Sequence, residues 1–250
     1  MRLGPAEREA VAALRPDLLV VFAYGTIFGP KFMALFPRGG INAHPSLLPR
    51  WRGCAPIPYA IMNRDLVTGV SIQRLAQKMD SGDVLFRREI ALDGSETTES
   101  LSALSATVGA GLLVQAIEAI ASGTDRGEPQ DEAAATWSVA ISKDDGLVDW
   151  CASAVELDAK ARAFHPWPGV HTGLSGERLA LIAVKPYPGE ESGAMPGTII
   201  SVDKSRGIMV QTGEGQLALT RLQLRGRKAM DFKDFVNGAR GLVGSRLQMP

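Results

Sequence analysis

Residues 41–53 read Ile41-Asn42-Ala43-His44-Pro45-Ser46-Leu47-Leu48-Pro49-Arg50-Trp51-Arg52-Gly53. Asn42 and His44 are two apart, so on an extended segment both side chains point to one side. Pro45 ends ladder pairing, and Pro49 and Gly53 keep the continuation from becoming a helix. An amide and an imidazole are therefore expected side by side where a short strand opens into a loop. Polar groups at such an edge can face a substrate while the scaffold behind them stays rigid. Taken alone, the pair reads equally well as a core histidine beside a turn asparagine.

Working outward, Leu18 to Ala23 is a continuous apolar run ahead of Tyr24-Gly25. Such a run suits a parallel strand covered on both faces. A short helix opening at Pro5 with Ala10, Val11 and Leu14 precedes it, and a second at Pro30 to Phe36 follows. Helix, buried strand and glycine-containing loop together form the rhythm of a doubly wound sheet. Downstream, Pro56 to Met62 suits a helix, Val70 and Ile72 a strand, and Val84 to Ile90 another. A long helix capped at Thr97 or Thr98 is expected to place Leu101, Leu104, Val108, Leu112, Leu113, Ile117 and Ile120 on its core face and to stop at Gly123.

Residues 124–143 begin polar and acidic and read as a linker with a short strand at Trp137 to Ile141. Ser153 to Glu156 forms a capping box that opens a helix to Phe164. Short strands separated by glycine turns follow, which indicates a small all-β domain and suggests a barrel.

The 250 residues carry 27 basic and 27 acidic side chains, so no global field announces a nucleic-acid or membrane partner. Locally, 221–250 hold Arg221, Arg225, Arg227, Lys228, Lys233, Arg240 and Arg246 against Asp231 and Asp234. A charge run of this kind is commonly a solvated face. Cys54 and Cys151 read as free thiols, with Cys54 serving as packing. His44, His165 and His171 lack zinc-ligand spacing, and no metal is expected. No signal peptide and no run of membrane-spanning length is apparent, so a cytoplasmic protein is expected.

The string Asn42 to Pro49, continued by Arg50-Trp51-Arg52-Gly53 and Ala55-Pro56-Ile57, resembles the signature of folate-dependent formyltransferases, more narrowly those acting on methionyl-tRNA. Asp80-Ser81-Gly82-Asp83-Val84-Leu85 begins 38 residues after Asn42, where that family carries an aspartate before a strand. The resemblance implies an α/β architecture: an incomplete doubly wound, Rossmann-like catalytic domain over 1–123, a linker over 124–143, and an OB-like β-barrel over 144–250. It implies formyl transfer from 10-formyltetrahydrofolate to the amino group of initiator methionyl-tRNA, with no metal. Such a transfer passes through a tetrahedral oxyanion, which needs a donor at the oxygen, a cation or second donor nearby, and a route for the amine proton. The resemblance gives Asn42 the first task, His44 the second, and Asp80 the task of orienting or charging His44 and helping to move the proton. It also implies that Ser46, Leu47, Leu48, Pro49 and Ile27, with Thr26 and Phe28, bound the folate pocket. Arg225, Arg227 and Lys228 are then candidates for phosphate contacts to tRNA.

Other readings keep parts of this site. An amino-sugar nucleotide formyltransferase or a formyltetrahydrofolate hydrolase would share Asn42, His44 and Asp80, whereas Arg50-Trp51-Arg52 and the basic C-terminal module favour tRNA. The strand at 18–23 arrives after a single helix, where the family has further strands. That leads us to expect an N-terminally truncated domain, poorly soluble or dimeric through this edge. A non-catalytic RNA-binding fragment is the alternative of a different class. A longer form is expected to be a monomer.

Overall fold

The computed structural model describes residues 4–25, 28–239 and 241–248 of the chain. The fold divides into two compact units. The first runs through Ala60 and adds Asp65–Asp93 and Ser100–Ala140; the second holds Ile61–Arg64, Gly94–Glu99 and the chain from Ile141 on.

In the first half of the chain the elements are α1 (Pro5–Ala13), β1 (Leu19–Phe22), α2 (Pro30–Met33), β2 (Gly40–His44), β3 (Arg52–Gly53), α3 (Pro56–Met62), β4 (Val67–Arg74), β5 (Val84–Ala91), α4 (Thr98–Ser122) and β6 (Trp137–Ser138). Four strands form a sheet in the order β1-β2-β4-β5. The β1–β2 pair is parallel, but β2–β4 and β4–β5 are antiparallel. The sheet is therefore mixed, and only the crossover through α2 follows the doubly wound rhythm. Its centre is fully buried at Ile41, Val70 and Ile72.

Two expectations about burial are corrected. Among the described residues β1 pairs only with β2, so it is an edge strand. Val21 is buried, whereas Val20 and Phe22 are each 42% exposed. An apolar run reports the hydrophobicity of a strand but not its place in the sheet order. The second correction concerns α4. Its buried stripe is Leu101, Ser105, Gly109, Leu112, Ala116 and Ile120, while Leu104 and Ile117 are exposed. Small residues on that stripe let the helix backbone approach the sheet. A Cβ at Gly109 would already sit 3.3 Å from the Phe22 ring and 3.5 Å from Val70. With 25 residues and a mean hydropathy of 1.6 in its most apolar window, α4 is also long and apolar enough to cross a membrane, contrary to the sequence reading. The core helix of a globular unit passes the same test, and α4 lies with its stripe against the sheet.

The remaining elements are α5 (Ala154–Ala163), β7 (Val170–Leu174), β8 (Glu177–Tyr187), β9 (Ile199–Asp203), β10 (Gly207–Gln211), β11 (Gln216–Leu224), β12 (Met230–Asp231) and α6 (Phe232–Gly238). Helix α5 opens on the expected capping box: the Ser153 hydroxyl accepts from the Glu156 amide at 3.2 Å, and the Ser153 amide donates to the Glu156 carboxylate at 2.8 Å. The sheet is antiparallel in the order β7-β8-β11-β10-β9, with β12 added to β11. Its terminal strands β7 and β9 do not pair with each other, and no closed barrel forms among the described residues. Residues 244–248 bond to both ends instead: Gly173 and Gln248 exchange two backbone hydrogen bonds, Gly244 donates to Ile199 and Ile199 to Ser245.

Candidate active site

A cavity of about 1020 Å³ opens in the first unit. Val21, Phe22, Met33, Ile57 and Leu75 give it apolar walls, and Asn42, His44, Gln73 and Asp80 form its polar side. The three residues expected to carry the chemistry are thus brought to one wall.

Strand β2 sets the first two. Asn42 lies opposite Gln73 of β4, and His44 opposite Ser71. Among the described residues the Asn42 amide has no hydrogen-bond partner within the protein, which leaves its donors to the cavity. His44 is 4% exposed, and its Nε2 is 2.8 Å from the Trp51 carbonyl oxygen. A carbonyl only accepts, so Nε2 carries the hydrogen and neutral His44 keeps its lone pair on Nδ1. That nitrogen is 3.7 Å from Asp80 Oδ1. The separation is too long for a hydrogen bond and leaves the carboxylate beside that nitrogen.

Asp80 is held from two directions. Its Oδ1 accepts from Gln73 Nε2 at 2.8 Å, and its Oδ2 from the Gly53 amide at 2.9 Å. Its backbone is left-handed, with φ at 51°, a costly region for a residue with a Cβ and one found where surrounding contacts fix the geometry. Gly53 must be glycine: φ is 106°, and a Cβ would lie 2.1 Å from the Ser138 carbonyl oxygen. A base site with its proton fixed on the far nitrogen, a charge beside it and a free amide donor can together move a proton and stabilise an oxyanion.

The residues expected to bound a folate pocket are placed differently. Ser46, Leu47, Leu48 and Pro49 do not line the cavity. Ser46 and Leu48 are buried, and the Ser46 hydroxyl donates to the Arg50 carbonyl while Ser71 Oγ donates to the Ser46 carbonyl. They build the turn that carries His44. Thr26 and Ile27 lie outside the described residues, whereas Phe28 lines the cavity and stacks on Tyr24 with ring centroids 5.4 Å apart. Cys54, expected as packing, is exposed at the cavity wall.

Arg50 and Arg52 do not project as an RNA-facing pair. Arg50 is held by Asp65 through Nε and Nη2 at 2.9 and 2.5 Å, which raises its pKa further. Arg52 is 1% exposed and pairs with Gln130 and Glu132. Sequence reading missed Gln73 and Gln130. The first could have been found from its phase, because Ser71 and Gln73 alternate with apolar Val70 and Ile72 on β4.

In the second unit Arg225, Arg227 and Lys228 lie exposed on the turn between β11 and β12. None of their side chains has an acidic partner among the described residues. Arg240, counted in the same basic run, lies outside the described residues.

Known proteins extend this picture. Residues 4–117 match the formyl transferase family, and residues 140–240 match the formyl transferase C-terminal domain. The methionyl-tRNA formyltransferase of Treponema pallidum (strain Nichols) is 46% identical over 250 residues, covering 98% of this chain and 77% of the relative. That of Pseudomonas fluorescens (strain Pf-5) is 44% identical, covering 95% and 74%. Among solved structures, HypX from Aquifex aeolicus in complex with tetrahydrofolic acid superposes with a TM-score of 0.69 at 19% identity, over 97% of this chain but only 42% of HypX. The sugar 3N-formyl transferase WlaRD, solved with dTDP and 5-N-formyl-THF, gives 0.63 at 14% identity, over 87% and 77%. At such identities the structures speak to fold alone.

Proposed function

The chain belongs to the methionyl-tRNA formyltransferase family, and from that premise we propose how its own residues carry the transfer. The reaction moves a formyl group from 10-formyltetrahydrofolate to the amino group of initiator methionyl-tRNA. The donor supplies the activated formyl carbon. A cavity of about 1020 Å³ with apolar walls and a few convergent polar groups fits a molecule of that size.

On this reading the Asn42 amide donates to the oxygen that gains charge as the amine adds to the formyl carbon. His44 takes the amine proton at Nδ1, the nitrogen left with a lone pair by the Trp51 hydrogen bond. Asp80, 3.7 Å away, stabilises the imidazolium that results. Ser46, Leu47, Leu48 and Pro49 support the folate site from behind by shaping the His44 turn. The convergence of Asn42, His44 and Asp80 on one cavity wall carries this reading.

The remaining assignments belong to the same proposal. Residues 1–123 are the catalytic domain, 124–143 the connection and 144–250 an OB-like module, the last supported by segment 244–248 bonding both ends of the six-stranded sheet. Arg225, Arg227 and Lys228 contact tRNA phosphates. The full-length protein works in the cytoplasm as a monomer, without a membrane partner. The test offers the chain and 10-formyltetrahydrofolate either charged initiator tRNA or an amino-sugar nucleotide. Formylmethionyl-tRNA is the expected product; formylation of the sugar alone overturns the assignment.

A further inference from the structure

We propose that Gln130 is a positioning residue for Asp80, and that segment 128–138 is a strap setting the geometry of the catalytic wall. This rests on the proposed action of Asp80 on His44. The Gln130 amide nitrogen donates to the carbonyls of Asp80 and Gly82, at 2.9 and 2.7 Å. Those carbonyls flank the turn in which Asp80 adopts its left-handed backbone. The turn has no slack on its other side: a Cβ at Gly82 would lie 1.8 Å from the Arg74 carbonyl oxygen. Gln130 therefore grips the strained turn through two of its carbonyls.

Gln130 is itself held. Its Oε1 accepts from Arg52 Nε and Nη2 at 3.1 and 2.9 Å, and Arg52 also pairs with Glu132 at 2.8 Å. With the oxygen committed to the guanidinium, the NH₂ end must face the two carbonyls, so the amide has one orientation. The strap is sewn down along its length. Val84 and Glu128 exchange two backbone bonds, Arg52 N donates to the Thr136 carbonyl, and Ser138 Oγ donates to the Arg52 carbonyl. Strand β6 pairs with β3 beside Gly53, whose amide holds the other Asp80 oxygen. One segment thus fixes the backbone of Asp80 through Gln130 and, through β3, the amide that aims its carboxylate.

Two kinds of readout test this in the full chain. The first is the set of His44 imidazole NMR signals at one fixed pH, tractable because the chain has only three histidines. Asp80→Asn should shift these signals by removing the carboxylate 3.7 Å from Nδ1. Gln130→Met should shift them too by letting Asp80 drift, with no further change in the double variant. His165 and His171 serve as controls for folding. Gln130→Asn, too short to reach both carbonyls but still polar, should give a smaller shift and covers the case in which Gln130→Met fails to fold. The second readout is kinetic: Gln130→Met should lower kcat on the order of 10–100-fold, as a small misplacement does, without raising either KM. Unchanged His44 signals and an unchanged kcat in both Gln130 variants overturn the inference. A normal rate for Asp80→Asn instead overturns the catalytic reading on which it rests.

Discussion

Two basic segments of this chain look alike in sequence and behave in opposite ways in the fold. Arg50-Trp51-Arg52 and the basic segment Arg225-Gly226-Arg227-Lys228 both weigh toward a tRNA substrate in the sequence. In the first, Arg50 is forked onto Asp65 and Arg52 is sealed against Gln130 and Glu132. In the second, the cations stand in solvent on a two-strand turn. Charge on a sequence thus says little about its use until the partners are known. A buried guanidinium builds the site, whereas an exposed one is available to a polyanion.

The sharpest way to break this contrast lies in the residues that the first segment supports. Asn42→Ala is expected to lose about two to three orders of magnitude in the rate of formyl transfer. His44→Ala and Asp80→Ala should be similarly severe, and the losses should not add, because the three act as one unit. Single-turnover kinetics on the singles and the triple measures this; near-normal turnover by Asn42→Ala would remove the chemistry from this wall.

A smaller effect separates the two segments directly. Arg52→Met should cost roughly 3 kcal/mol by urea unfolding, because charged hydrogen bonds at a dry site are broken and Gln130 Oε1 is left unpaired. Neutralising Arg225, Arg227 and Lys228 together should leave stability within about 0.5 kcal/mol, as exposed substitutions usually do. The same triple variant should weaken tRNA binding and reduce the logarithmic salt slope by about one for each phosphate it no longer neutralises. If the slope does not move, the second segment is a solvated face and the contrast collapses.

The smallest expected effect concerns a buried imidazole in the second unit. His171 is buried, with its Nδ1 3.1 Å from Arg178 Nη2, and burial followed by that guanidinium lowers its pKa. The folded state therefore resists the proton that the unfolded state takes up near pH 6.5. Stability should be intact above that value and decline as pH falls from it toward the folded pKa. His171→Gln should flatten this part of the stability profile measured by thermal unfolding.

The proposed catalytic wall was legible because its residues are set by nearly local signals. Asn42 and His44 share a strand face, Asp80 follows at a fixed spacing, and the capping box at Ser153 and the stop at Gly123 are signals of a few residues. What was not legible depends on partners far along the chain. Arg52 is bound by residues 78 and 80 positions away, so its burial leaves no local trace. The apolar run at β1 predicted a strand correctly but not its exposed place at the sheet edge. On α4, Leu101, Leu112 and Ile120 face inward as expected, but Leu104 and Ile117 do not, and Ser105, Gly109 and Ala116 share the buried stripe; at Gly109 the helix sits too near the sheet for a larger residue.

The strap has a consequence for how the enzyme comes into being. Strands β4 and β5 can pair as a local hairpin, but Asp80 is gripped by a side chain 50 residues later in the chain. Contacts of such separation close late, after the entropy of the intervening loop has been lost. The scaffold can therefore collapse before the Asp80 turn is set. In the native state, release of residues 128–138 would free β3, the Gly53 amide and the Asp80 turn in a single opening. Hydrogen exchange would then find the Asp80 turn and the strap protected to the same depth, although half a domain of sequence lies between them.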